Sequence, residues 1–224
     1  MAKKKESTLI NMLVALLVIA AVSGGVLGLV YGVTKDAIAE VDQKKNEAAI
    51  KAVLPLDNVT YKADTMKFNY EGVDLTFPCN LAYDVNGNFQ GAAVKTSEGG
   101  FGGKIDMMVG FLADGTIKGT SVLSHAETPG LGANMTGKFK DQFVDKNPAS
   151  YKLTVTKDGG DVDAITAATI TSRAFSKAVD KAYQAFMANK AQFMNNAPTE
   201  EPAPVMEAAP AEENNETEGG QSNE

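Results

Sequence analysis

The longest apolar run opens the chain. Leu9 to Tyr31 carries no charged residue across 23 positions. At 1.5 Å rise per residue that spans about 34 Å, enough for a hydrocarbon core of about 30 Å. Lys3, Lys4 and Lys5 precede it, and the positive-inside rule places that end in the cytoplasm and the rest across the membrane. A cleaved signal peptide is the competing reading. Its apolar core is typically about 7–15 residues before a small-residue site, whereas this run continues through Gly24, Gly25 and Gly28 to Val30. Gly24 and Gly28 also form a small-xxx-small pair, a weak helix-packing signal. From Thr34, a candidate N-cap, the positions Ile38, Val41, Ala48 and Ala52 keep one apolar face to about Val53. Leu54-Pro55 ends that helix, because a residue before proline resists the helical region.

Beyond it the period shortens. Short strands are predicted near Met66–Tyr70 and Asn80–Val85, then an Asn86-Gly87 turn and a strand from Phe89 to Thr96. Asparagine-glycine between apolar runs is a strong hairpin signal, since both residues tolerate positive φ. Ile105–Leu112, an Asp114-Gly115 turn and Thr116–Leu123 read as a second hairpin. A short helix over Thr136–Asn147 places Phe139 and Phe143 on one face, and Tyr151–Thr156 alternates as a strand before an Asp158-Gly159-Gly160 turn. Phe175, Val179, Ala182 and Phe186, at spacings of 4, 3 and 4, form the stripe of an amphipathic helix that starts just beyond Thr169 and lies on a sheet. The class is α+β: one N-terminal transmembrane helix, then a domain with a mainly antiparallel sheet packed by helices. The divisions are a cytoplasmic N-terminus at 1–8, the membrane helix at 9–31, an extracytoplasmic domain at 32–196 and a disordered acidic tail at 197–224.

Net charge is −7 over 224 residues. Eight acidic residues and no basic ones lie beyond Ala197, leaving 20 acidic against 21 basic upstream. The tail is rich in Pro, Glu, Asn and Ala, with too few apolar groups to offset the entropy of ordering. No basic stripe or aromatic platform suggests nucleic acid. A single cysteine, Cys79, excludes an internal disulfide and a multi-cysteine metal cluster, and a lone His125 excludes two-histidine zinc motifs. A buried, inert thiol is the default for Cys79.

Candidate chemistry gathers in three stretches. Asp163-Ala-Ile-Thr-Ala-Ala-Thr-Ile-Thr-Ser172 sets Thr166, Thr169, Thr171 and Ser172 among small neighbours at a helix start. Unpaired N–H groups and the helix dipole there favour a phosphate; an ordinary Ser/Thr N-cap region is the alternative. Gly99-Gly100-Phe101-Gly102-Gly103 permits close backbone approach to a ligand, or else is a flexible turn with Phe101 packed on the core. It lacks the Gly-Lys-Ser/Thr of a phosphate-binding P-loop. Ser124-His-Ala-Glu-Thr-Pro-Gly-Leu-Gly132 is stiff at Pro129 and open at Gly130 and Gly132, and presents Glu127, Thr128 and Leu131. His125 reads as a surface or capping histidine, and Glu127 has no evident partner in the sequence.

These three motifs together, in this order behind one anchor, resemble the FMN-binding domain shared by the G subunit of the Rnf ion-translocating electron-transport complex and the C subunit of sodium-pumping NADH:quinone reductase. The resemblance covers about Leu9 to Asn196, and the compact chain favours the Rnf side. It implies FMN joined through its phosphate to Thr169, the last threonine of an Asp-x-x-(Ser/Thr)-Gly-Ala-Thr pattern, by a separate metal-dependent flavin transferase that uses FAD and recognises Asp163 and Thr166. Ala167 stands where the family often has glycine and is expected to need less positive φ. Gly102, Gly103, Glu127, Thr128, Gly130, Leu131, Gly132, Thr166, Ala168 and Thr171 would surround the flavin. The chain would relay electrons to other subunits of a membrane complex linking ferredoxin and NAD to ion translocation, with no protein nucleophile or general acid, no metal ligands, and a location in a bacterial inner membrane. A cofactor-free anchored adaptor is the reading from another class.

Overall fold

The structure, a computed structural model, describes residues 9–195. Lys3 to Lys5 and the acidic tail expected from Ala197 lie outside the described residues. Helix α1, Leu9–Val53, is one continuous run of 45 residues. Thr34 is no cap. Its hydroxyl donates back to the Val30 carbonyl at 2.9 Å, which lets a threonine sit inside a helix without competing for its ladder. The apolar half of α1 is long enough to cross a membrane, and its side chains are uncovered. The helix stops as expected, with Leu54 N–H donating to Ile50 O at 3.0 Å just before Pro55.

Strands β1 (Val59–Tyr70), β2 (Val73–Asp84), β3 (Phe89–Gly99), β4 (Lys104–Leu112) and β5 (Ile117–Ser124) form an antiparallel meander in that order. β1 and β2 are longer than their apolar patterns suggested, because Tyr70 and Val73 pair across a two-residue Glu71-Gly72 turn with φ of 52° and 85°. Both central residues take positive φ, as a type I′ hairpin requires. The Asn86-Gly87 turn forms as predicted, with Asp84 Oδ1 accepting from Asn86 N and Asn88 N, both at 2.8 Å.

The sheet is covered on both faces, and the period-2 alternation sorts its side chains. Ala92, Val94, Met107, Val109 and Phe111 face α3 (Thr169–Asn195), whose Phe175, Val179, Ala182 and Phe186 are buried against them. Phe111 and Phe186 stack with ring centroids 5.2 Å apart. Cys79 is buried in this core, and burial pushes its thiol up to about 12, so it stays protonated and inert. On the opposite face Ala82, Ala93 and Met108 receive Ala49, Val53 and Leu54 from the end of α1. Gly110 and Gly119 let the α1 backbone lie directly on the sheet. A methyl group on Gly110 would overlap the Val53 carbonyl.

Two expectations fail between β5 and α3. The helix over Thr136–Asn147 shrinks to a 3-10 turn at Gly132–Thr136 and one turn of α2, Lys138–Asp141. Asp145 at φ 56° ends the path, and its N–H bonds Ile117 O at 2.8 Å instead. Phe139 and Phe143 are still buried together, packed on Phe175. Tyr151–Thr156 is not a strand: Lys152 N bonds Asp161 Oδ2 at 2.7 Å, and only Val155 makes a bridge, parallel, to Val162. The segment folds back on itself and gives its polar groups to the same loop.

Gly110→Ala is expected to lift α1 from the sheet and cost about 2 kcal/mol by overpacking. A thermal melt of the full chain in detergent checks this, and an unchanged midpoint would refute the close contact.

Candidate functional site

The β3–β4 turn, the segment after β5 and the start of α3 converge on one side chain. Glu127 is buried, with 6% of its surface exposed. Its Oε1 accepts from Phe101 N at 2.7 Å and Gly102 N at 3.2 Å, and its Oε2 accepts from Thr171 Oγ1 at 2.9 Å. These are the partners that local spacing could not assign. A methyl group on Gly100 or Gly132 would overlap the Glu127 carboxylate, so both glycines are required by its position. Charge-assisted hydrogen bonds to backbone donors are what make a buried carboxylate tolerable. His125 supports the arrangement from outside. Its Nδ1 accepts from Glu127 N at 3.2 Å, and its ring stays exposed.

Around this knot lies a cavity of about 370 Å³. Glu127, Thr128, Leu131, Gly132, Ala168, Thr169 and Thr171 line it, together with Phe101, Ala167 and Ile170. The other residues expected at the flavin sit elsewhere. Gly102 donates its N–H to Glu127, and Gly103 closes the turn by accepting from Gly100 N at 2.8 Å. Gly130, at φ 75°, forms an exposed turn held by Asn134 Nδ2 at 2.9 Å. Thr166 opens onto a separate groove beside Asn134 and Asp163.

The four clustered hydroxyls have different fates. Ser172 is fully buried and committed, accepting from Ile165 N at 2.9 Å and donating to Ala168 O at 3.0 Å. Thr171 is buried against Glu127. Thr169, half-exposed, begins α3 and faces the cavity. Small neighbours alone therefore do not keep all four hydroxyls open: packing leaves Thr166 and Thr169 accessible, and of these two only Thr169 borders the cavity.

Ser172 N bonds Ala168 O at 3.0 Å, which makes Ala168 the N-cap. Alanine has no side-chain acceptor, so it cannot satisfy the N–H groups of Thr169, Ile170 and Thr171. Ala167 sits at φ 61°, against the expectation that alanine would need less positive φ. It takes the left-handed conformation that glycine supplies freely, at a cost of about 1 kcal/mol. Nothing in the local pattern pointed to Lys157, whose Nζ donates to Thr169 Oγ1 at 3.4 Å. Three exposed apolar side chains stand at the cavity: Phe101 at 70%, Ile170 at 52% and Leu131 at 43%. Phe101 is thus not packed on the core.

The FMN-binding domain family matches residues 100–184. Over 182 residues the chain is 36% identical to the G subunit of the ion-translocating oxidoreductase complex of Vibrio atlanticus, covering 75% of this chain and 86% of that protein. The chain belongs to the G-subunit family of ion-translocating oxidoreductase complexes. A further member, the G subunit of the Na(+)-translocating ferredoxin:NAD(+) oxidoreductase complex of Acetobacterium woodii, is 33% identical over 182 residues, covering 76% of this chain and 88% of the relative. The crystal structure of the C subunit of Na(+)-translocating NADH-quinone reductase from Parabacteroides distasonis aligns with a TM-score of 0.46 at 18% identity, over 70% of this chain and 96% of that one.

The residues of this G-subunit family member fit an FMN. Uncapped N–H groups and an ammonium meet at an accessible hydroxyl, as a phosphate needs, and a ligand-sized cavity with apolar walls adjoins them. Glu127→Ala is expected to leave the buried Thr171 hydroxyl and the Phe101 and Gly102 N–H groups without their acceptor and to destabilise the domain by about 2 kcal/mol, read as a lower urea midpoint. Glu127→Gln keeps an acceptor and should lose less. Equal stability of Glu127→Ala and wild type would refute the role given to the carboxylate.

Proposed function

We propose that this chain carries one FMN, esterified through its phosphate to Thr169, and relays electrons within an ion-translocating ferredoxin:NAD oxidoreductase complex. The observation that carries the reading is the placement of Thr169: an accessible hydroxyl on the first residue of α3, facing the cavity, with no capping side chain beneath it. In the attachment, made by a metal-dependent flavin transferase, Thr169 Oγ attacks the flavin-side phosphorus of FAD. The Oγ–P bond forms, the pyrophosphate P–O bond breaks, AMP leaves with the electron pair, and the hydroxyl proton passes to a base of the transferase.

When bound, the flavin supplies the one- and two-electron chemistry. The chain's own residues hold and shield it. The N–H groups of Thr169, Ile170 and Thr171 and the positive end of the α3 dipole receive the phosphate. Phe101, Leu131 and Ile170 give the ring an apolar bed. The Glu127 network keeps the walls of that bed in register. The covalent tether replaces a deep pocket by effective concentration, which suits a shallow cavity open to a partner subunit.

Helix α1 anchors the domain in a bacterial inner membrane, with the N-terminus cytoplasmic and the domain on the periplasmic side. Lys3 to Lys5 and the uncharged stretch Leu9 to Tyr31 support that orientation.

Two measurements test the reading. Full-length chain co-expressed with a flavin transferase should gain the mass of one FMN ester, and Thr169→Ala should abolish the gain. A wild-type chain of unmodified mass would leave an anchored adaptor as the function. Protease added outside spheroplasts should digest the domain beyond Tyr31; digestion only in inverted vesicles would reverse the topology.

A further inference from the structure

Lys157 sits where a cation is electrostatically out of place. It lies in a short 3-10 turn, Thr156–Asp158, and its ammonium reaches Thr169 Oγ1 at the start of α3. The N-terminus of a helix carries a partial positive charge, so a neighbouring cation opposes it and an anion is favoured. The first turn of α3 contains no acidic residue to compensate. The adjacent carboxylate of Asp158 is already committed: it takes a two-point ion pair from Arg173, with Nε at 2.7 Å and the second nitrogen at 2.8 Å.

The turn is also held in place. Asp158 N donates to Val155 O at 2.8 Å, Val155 is fully buried, and the turn ends on Gly159 at φ 79°. Thr169 and Arg173 are four residues apart and therefore share one face of α3. Lys157 and Asp158 are consecutive and address that pair in parallel. Asp158 straps the turn to the helix, and the strap delivers the lysine ammonium to the hydroxyl. A fold that needed only the strap would be satisfied by the Asp158–Arg173 pair.

We propose that Lys157 is a phosphate-binding and positioning residue: its ammonium pairs with the flavin phosphate on Thr169, and with the charge developing on that phosphate as the ester forms. This rests on the assignment of FMN to Thr169. An anion at the site turns the unfavourable lysine–dipole contact into a three-way attraction among ammonium, phosphate and helix N–H groups. Arg173 anchors the turn through Asp158 and leaves the hydroxyl to the lysine.

The test uses the full-length chain in detergent, made without transferase and then treated with purified flavin transferase, FAD and Mg²⁺. The rate of mass gain is followed for wild type, Lys157→Gln and Lys157→Arg, with thermal melts of each. Lys157→Gln should be slowed about tenfold, the equivalent of one charge-assisted contact, with its melting midpoint unchanged. Lys157→Arg should stay within about threefold of wild type. A Lys157→Gln rate equal to wild type, or a Lys157→Arg rate as slow as Lys157→Gln, would overturn the proposal. A second readout uses chains carried to full attachment: phosphorus NMR of the tethered phosphate should show a displaced resonance in Lys157→Gln, and coincident resonances would also overturn it. A wild-type chain that gains no mass is a different outcome, because it refutes the Thr169 assignment itself.

Discussion

The site depends on a buried carboxylate placed where three segments meet. Glu127 cannot be desolvated without donors, and its donors come from the β3–β4 turn and from α3. Each partner is thereby fixed relative to the others. The cavity walls follow from that constraint: Phe101 is carried by the residue whose N–H binds Oε1, and Thr169 lies two residues from the threonine that binds Oε2. The glycines at 100 and 132 are consequences of the same contact, since side chains there would occupy the space of the carboxylate. A network of this kind is strong when all its members are satisfied and costly when one is missing.

A second constraint acts on the opposite face of the sheet. The 45-residue helix that begins as an apolar span ends by laying its backbone on Gly110 and Gly119. Membrane-length helix and domain are continuous through one hydrogen-bonded ladder and one packed cluster around Val53 and Leu54. The sheet is the common body: α1 closes on one side and α3 packs on the other. Electron transfer between carriers falls steeply with distance, and a continuous helix packed on the sheet at Val53 and Leu54 suits a relay subunit.

Local signals were legible where a few neighbouring residues decide the outcome. The Asn86-Gly87 turn, the stop at Leu54-Pro55 and the apolar stripe of α3 all formed as their spacing implied. The strand expected at Tyr151–Thr156 failed because alternation alone does not supply a paired edge; Asp161 drew its backbone into a loop. The helix expected over Thr136–Asn147 failed for a related reason: Phe139 and Phe143 reached the core through turns, without a continuous ladder. Thr34 marked a helix start only while the membrane span and the following helix were taken as separate pieces.

By itself the sequence determined the membrane-length helix, the hairpins at Asn86-Gly87 and Asp114-Gly115 and the threonine stretch at a helix start, because composition and short-range spacing are enough for each. Tertiary structure decided which hydroxyl stays open. Ser172 turns back onto Ile165 N and Ala168 O, and Thr171 meets Glu127, which lies 44 residues before it. It also decided that Lys157 meets Thr169 across 12 residues, through a turn pinned by Arg173. Desolvation and close approach between remote segments set these outcomes, and neither is encoded in the spacing of neighbouring residues.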